Sequence, residues 1–203
     1  MTQGFLSKVY DKGDTDARKI YAQWSQSYDA EISQNGYATP MRAAQALANA
    51  MNDKSGAVLD FGCGTGLSGL ALRSQGFDVI DGIDVTPEMI DIARAKAIYR
   101  NLCSYPIDAP PPVDLGSYSA ISAVGVISPG AAPIAVLEMI VGHMSKGAKF
   151  VFSFNDHALA DPSYESTLRR LVDTGKLALV FCEHGDHLPG IGLMATVYVV
   201  EKL

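Results

Sequence analysis

Short apolar runs, separated by polar stretches marked with proline and glycine, set the rhythm of this chain. Seven of them read as strands: Ala57–Phe61, Phe77–Asp84, a short one near Leu102–Tyr105, Ser119–Val124, Lys149–Phe154, Leu177–Glu183 and Met194–Glu201. Helical spacing fills about 15–28, 40–51, 87–98 and 162–174. Thr39-Pro40, Thr86-Pro87 and Asp161-Pro162 each place an N-cap side chain before a proline at the first helical position, and Gly175 stops the last helix. From residue 57 onward strands and helices alternate, which predicts an α/β fold, a three-layer αβα sandwich around a mostly parallel sheet. No helix separates the last two strands, so a C-terminal antiparallel hairpin strand is expected. The most apolar window, Ile121 to Gly142, contains Pro129, Pro133 and Glu138 and divides into strand, turn and helix instead of a membrane span.

Length and composition narrow the class. A chain of 203 residues that is 48% hydrophobic fits one domain, with 1–52 as an N-terminal helical cap and 53–203 as a Rossmann-like core. A net charge of −6 disfavours a nucleic-acid groove. Cys63, Cys103 and Cys182 are widely spaced and odd in number, so they read as small buried thiols and not as a disulfide framework or zinc cluster. The segment MTQGFLSKVYDKGDT lacks an apolar stretch of signal-peptide length, and a cytoplasmic monomer or homodimer without membrane partners is expected.

The chemistry concentrates in Val58-Leu-Asp-Phe-Gly-Cys-Gly-Thr-Gly-Leu67: a buried strand ending in a carboxylate, a glycine-rich turn, then a helix start. Gly62, Gly64 and Gly66 let the backbone turn sharply and approach a ligand, and the helix start offers unpaired N–H groups. Two cofactors fit such a loop. Gly64-x-Gly66-x-x-Gly69, with Asp84 about 20 residues on, matches a dinucleotide fingerprint. Yet Asp60 stands where a pyrophosphate would be repelled and an ammonium attracted.

The full string D-F-G-C-G-T-G resembles motif I of class I S-adenosylmethionine-dependent methyltransferases. That resemblance implies a seven-stranded sheet and S-adenosylmethionine as cofactor. Its α-amino group would be received by Asp60, directly or through water, above the loop of Gly62, Cys63, Gly64, Gly66 and Leu67. An acid at the end of the second strand, here Asp84, holds the ribose diol in that family, and Val85 and Met89 would flank the adenine. Val124, ending the fourth strand in Val-Gly-Val-Ile-Ser128, would line the cofactor and face the acceptor.

After the third strand the pattern departs: Pro106 occupies the position of the expected adenine-binding acid, with Tyr105 or Asp108 as substitutes, and Ala109-Pro-Pro-Pro112 reads as a stiff connector. No Asn-Pro-Pro-Tyr or Asp-Pro-Pro-Tyr sequence follows the fourth strand, which disfavours nucleobase and glutamine acceptors. The stretch V-G-V-I-S-P-G is similar to the apolar segment of the Williams–Beuren-region methyltransferase-like small-molecule group, without its histidine. Tyr21-Ala-Gln-Trp-Ser-Gln-Ser-Tyr-Asp29 resembles the aromatic signature of that group. Tyr21, Trp24 and Tyr28 share one helix face, with Tyr21 and Tyr28 placed to touch cofactor or substrate and Gly36-Tyr37 as a hinge.

His157 follows the fifth strand, and His184 and His187 fall in the expected hairpin loop Glu183–Pro189; these three are the candidate bases, while His143 reads as mid-helix. No metal is expected. The sequence therefore predicts methyl transfer to O, N or S of a small molecule. An NAD-type oxidoreductase and a non-catalytic S-adenosylmethionine-binding protein remain as alternatives.

Overall fold

The computed structural model describes residues 17–203. Seven strands form one sheet in the order β3-β2-β1-β4-β5-β7-β6. They are β1 (Val58–Phe61), β2 (Ile80–Asp84), β3 (Asn101–Ser104), β4 (Ala120–Ala123), β5 (Lys149–Asn155), β6 (Leu177–Leu188) and β7 (Leu193–Lys202). All neighbours are parallel except β5·β7 and β6·β7, so the expected antiparallel strand is β7, inserted between β5 and β6. The order reverses beside β1, where β2 continues one way and β4 the other. This is the switch point at which open α/β sheets form a ligand crevice.

The helices are α1 (Ala17–Gln34), α2 (Thr39–Ala50), α3 (Leu67–Ser74), α4 (Pro87–Ala95), α5 (Ala135–His143), α6 (Asp156–Leu159) and α7 (Pro162–Asp173). One face of the sheet packs Leu59, Phe61, Ile121, Phe150, Phe152 and Phe154 against Leu137, Ile140 and Val141 of α5 and Leu168 and Leu171 of α7. The other packs Val58, Val151, Val197 and Val199 against Ala43, Ala44 and Leu47 of α2 and Ala71 and Leu72 of α3. Alternate residues of one strand thus serve two apolar layers, which explains why central strands read as unbroken apolar runs. The helix α2 is a layer of the sandwich, while α1 lies at the crevice edge with Trp24 buried against Leu188 and Leu193.

Several local expectations change. Thr39 is the first residue of α2 and makes no cap; its hydroxyl instead meets His187 Nδ1 at 2.7 Å. Thr86 sits at the N-cap of α4 without a side-chain cap bond, whereas Asp161 does accept from the Ser163 N–H at 2.9 Å. The strand β6 runs on to Leu188, with register shifts between Leu179 and Phe181 and between Asp186 and Leu188. His184 and His187 are therefore strand residues, and only Pro189–Ile191 and Gly192 make the turn. His143 ends α5 instead of lying within it, with Nδ1 2.8 Å from the Met139 carbonyl oxygen. Of the thiols only Cys63 is buried; Cys103 and Cys182 are exposed, because β3 and β6 are the two edges of the sheet.

Candidate active site

A cavity of about 460 Å³ opens beyond the carboxyl ends of β1, β2 and β4. Its floor is Phe61, Gly62, Cys63, Gly64, Thr65, Leu67 and Ser68, running from the end of β1 into α3. Gly62 adopts φ +69°, and a β-carbon there would stand 2.5 Å from a Val126 methyl, so the turn is closed to larger residues on both counts. The loop is pinned from the next strand. Gly62 and Cys63 donate their N–H groups to the Ile83 carbonyl, and Gly64 N–H reaches Asp84 Oδ2 at 2.9 Å. Asp84 Oδ1 takes the Thr86 N–H at 2.8 Å. Burial raises the Asp84 acid above its ordinary range, and these backbone donors hold it partly down.

Of the residues expected at the cofactor, Tyr21, Tyr28, Gly62, Cys63, Gly64, Leu67, Asp84, Val85, Met89 and Val124 all line this cavity. Asp60 and Gly66 do not. Gly66 sits at the N-cap of α3 in the left-handed region, at φ +95°, where it turns the chain into the helix. Asp60 lies beneath the loop, 1% exposed, with Oδ2 accepting from Ser68 Oγ at 2.6 Å and from Tyr99 OH at 2.7 Å. Its Oδ1 has no hydrogen bond, and the neighbouring Ser122 Oγ is unpaired as well. Burial raises its pKa to about 6 against the opposing pull of the Ser68 and Tyr99 hydroxyls, with the Ser122 hydroxyl, near it without closing a hydrogen bond, pulling the same way. Cys63 lies near both carboxylates, and burial with those charges pushes its thiol well up, so it stays protonated and inert.

None of the three candidate bases reaches the cavity. His157 and His184 are exposed, the latter 3.0 Å from Thr196 Oγ1 and 3.8 Å from Asp156. His187 is buried behind the wall, edge-on to the Tyr37 ring with centroids 5.2 Å apart, and burial lowers its pKa to about 4. Their places follow from the extended β6, which draws the two later histidines into the sheet. Among the described residues no group of three or more His, Cys, Asp or Glu side chains could hold a metal ion.

The cavity also contains residues the sequence reading passed over. Arg18 lines it one helical turn before Tyr21, and that i, i+3 spacing was the available signal. Tyr37, expected only as part of a hinge, lies against Gly125 after β4. Tyr105 and Asp108, named above as substitutes for the adenine-binding acid, do line the cavity, and Ala109 and Pro111 continue that wall, so the proline connector is part of the site. Ala131, Ala132, Pro133, Val136 and Met139 make an apolar wall from the start of α5, whose uniform hydrophobicity looked like plain core.

Of the glycines in the dinucleotide-like spacing, only Gly64 meets the cavity. A β-carbon at Gly69 would stand 2.3 Å from the Tyr99 phenol oxygen, so this glycine makes room for a tyrosine. Neither Gly66 nor Gly69 lines the cavity.

Comparison with known proteins agrees. A family model described as a methyltransferase domain matches residues 34–189. Human methyltransferase-like protein 27 is 30% identical over 163 residues, which cover 77% of this chain and 66% of that protein. The bovine 18S rRNA (guanine-N(7))-methyltransferase is 40% identical over 84 residues, covering 41% of this chain and 26% of that one. The match thus spans less than two thirds of either relative's length. Among solved structures, magnesium protoporphyrin IX methyltransferase from Synechocystis PCC 6803 with bound S-adenosylmethionine superposes with a TM-score of 0.60 at 14% identity, over 98% of this chain and 90% of the other. Sheet order, glycine loop and family match converge: the chain belongs to the methyltransferase-domain family.

Proposed function

We propose that this chain transfers a methyl group from S-adenosylmethionine to O, N or S of a small molecule. The observation that carries the reading is the cavity itself. At about 460 Å³ it falls in the range of small-ligand pockets, and α1 covers it with Tyr21 and Tyr28. The donor set suits the cofactor. Asp60, beneath the loop and outside the cavity lining, keeps one buried oxygen without a hydrogen bond, which an ammonium would meet through a bridging water, and Asp84 presents a carboxylate at the end of β2 for a ribose diol. Val85 and Met89 offer apolar contact to a base, and Gly62 and Gly64 let backbone approach closely. Arg18 supplies a cation for the carboxylate.

When bound, the cofactor supplies an electrophilic methyl on a sulfonium. The chain's residues bind, orient and exclude water, and positioning of this kind is worth up to roughly 7–11 kcal/mol in ideal cases. No imidazole or lysine lines the cavity among the described residues, so neither is there to take a proton from the acceptor, whose neighbours are the phenol groups of Tyr21, Tyr28 and Tyr37. We assign α1 the role of lid, within a single domain whose core begins near residue 53.

Some relatives are named for ribosomal RNA. Against an RNA acceptor stand a net charge of −6 and a cavity with Arg18 as its one described cation. Among the described residues no helix is long and apolar enough to cross a membrane.

The test is twofold. Calorimetric titration with S-adenosylmethionine, S-adenosylhomocysteine and NAD should give heat with the first two and none with the third. S-adenosylhomocysteine release should then appear with metabolite extracts; release only with RNA or ribosomal protein would refute the small-molecule acceptor.

A further inference from the structure

Tyr99 occupies a slot built from missing side chains. It precedes β3, and its ring passes under the glycine loop. A β-carbon at Gly69 in α3 would stand 2.3 Å from its oxygen, one at Gly82 in β2 3.0 Å from its ring, and one at Gly66 3.3 Å. Three elements therefore give way to one aromatic side chain. Phenylalanine would fill that slot equally well, so packing does not explain the hydroxyl. A buried hydroxyl is costly unless bonded, and this one donates to Asp60 Oδ2 at 2.7 Å.

The bond completes an asymmetric arrangement. Ser68 Oγ donates to the same oxygen at 2.6 Å, so Oδ2 is held twice while Oδ1 is held by nothing. Ser122 Oγ, facing the same acid from β4, is unpaired too. Two donors on one oxygen fix the carboxylate plane and leave the other oxygen for an incoming donor.

We propose that Tyr99 is a positioning residue of the cofactor site: with Ser68 it orients the Asp60 carboxylate so that the free oxygen, beneath the loop, receives the cofactor's ammonium through a bridging water. This rests on the cofactor assignment made above for Asp60. A donor to a carboxylate also favours its ionised form. Burial already lifts this acid to about 6, so removing the Tyr99 hydroxyl moves its titration closer to neutrality.

Binding of S-adenosylhomocysteine and of its analogue lacking the amino group, measured by calorimetry at pH 6, 7 and 8.5, tests the assignment in the wild-type protein and in Tyr99→Phe, Ser68→Ala and Asp60→Asn. Tyr99→Phe should bind the amine-bearing ligand roughly tenfold more weakly at pH 7, the loss expected of one hydrogen bond to a charged group. It should recover part of that loss by pH 8.5, where Asp60 is fully ionised, and bind the deaminated ligand within about twofold of wild type. Ser68→Ala, which leaves the ring in place, carries the same expectation should Tyr99→Phe fail to fold. Equal weakening of both ligands at every pH, or no weakening, overturns the role of Tyr99. If Asp60→Asn weakens the two ligands by the same factor, or weakens neither, the assignment of the amine to Asp60 falls first, and that of Tyr99 with it.

Discussion

Thr65 in the glycine loop donates its hydroxyl to Asp29 Oδ1 in α1 across 2.6 Å, which ties the proposed lid directly to the floor it covers. Lys96, just after α4, closes the arrangement by donating to Asp29 Oδ2 at 2.7 Å and to the Thr65 carbonyl oxygen. Asp29 is 37% exposed and Lys96 19%, so the ion pair adds little to global stability. Its leverage is local.

Asp29→Ala should therefore leave the unfolding midpoint within about 4 °C of wild type, since a hydrogen bond and a half-exposed pair are together worth about 1 kcal/mol. Hydrogen exchange should show the amides of 21–34 exchanging faster, and S-adenosylhomocysteine should restore part of their protection. Unchanged exchange in α1 would show that the helix is held by Trp24 and its apolar neighbours alone.

Asp84 does two jobs, and its variants should separate them. Its two oxygens take the Gly64 and Thr86 N–H groups, so Asp84→Ala leaves both donors without partners and frees the loop. Asp84→Asn keeps one acceptor oxygen and points an amide NH₂ at the other N–H. We expect both variants to lose affinity for S-adenosylhomocysteine by about 10- to 100-fold, since bonds to a charged group are worth about 1.5–3 kcal/mol. Titration calorimetry decides it; wild-type affinity in either variant would remove Asp84 from the site.

The candidate histidines yield a different outcome. His157→Ala and His184→Ala change exposed side chains outside the cavity and should leave turnover within about twofold. His187→Ala removes a buried ring bonded to Thr39 and packed on Tyr37, and should cost about 2–4 kcal/mol of stability. The pH dependence has a definite sign. A folded pKa of about 4, below the ordinary 6.5, means the contribution of His187 is complete above pH 6.5 and disappears as pH falls through about 4. Unfolding of wild type and His187→Ala, followed from pH 7 to 4, should converge as this term is lost.

These corrections show where the sequence stops speaking. Period and turn residues placed all seven strands, because each central strand must be apolar on both faces. The glycine loop and Asp84 were legible for a similar reason: a tight turn against a ligand admits few residue types. What escaped depends on register and distance. Whether β6 ends at Glu183 or Leu188 decides if His187 is a loop base or a core residue, and bulges at Leu179/Phe181 and Asp186/Leu188 leave no mark in the residue pattern. Tyr99 could not be found because its partners, Asp60, Ser68 and Gly69, lie 39, 31 and 30 positions earlier in the numbering. The apolar wall of Ala132, Val136 and Met139 had the composition of any core helix, and only the void beside it marks it as a site.

Asp60 offers the sharpest contrast between stability and function. Its folded pKa of about 6 lies above the usual 3.8, so between those values the folded state holds a proton the unfolded chain has lost. The stabilising contribution is complete below about pH 4 and is lost as pH rises through about 6; at neutral pH the buried charge costs on the order of 3 kcal/mol. Asn fits the same site without that cost. Its oxygen can accept from Ser68 and Tyr99 as Oδ2 does, and its NH₂ can donate to the unpaired Ser122 Oγ. Asp60→Asn should therefore raise the melting temperature at pH 7.5, by roughly 2–4 °C for each kcal/mol regained. It should erase the fall in stability between pH 4 and 6 and weaken cofactor binding. His187 drives stability the opposite way over that window, so the two terms are separated only by comparing single variants. A variant that melts lower than wild type at pH 7.5 would show that the carboxylate is satisfied in the folded protein and holds no charge in reserve for a ligand.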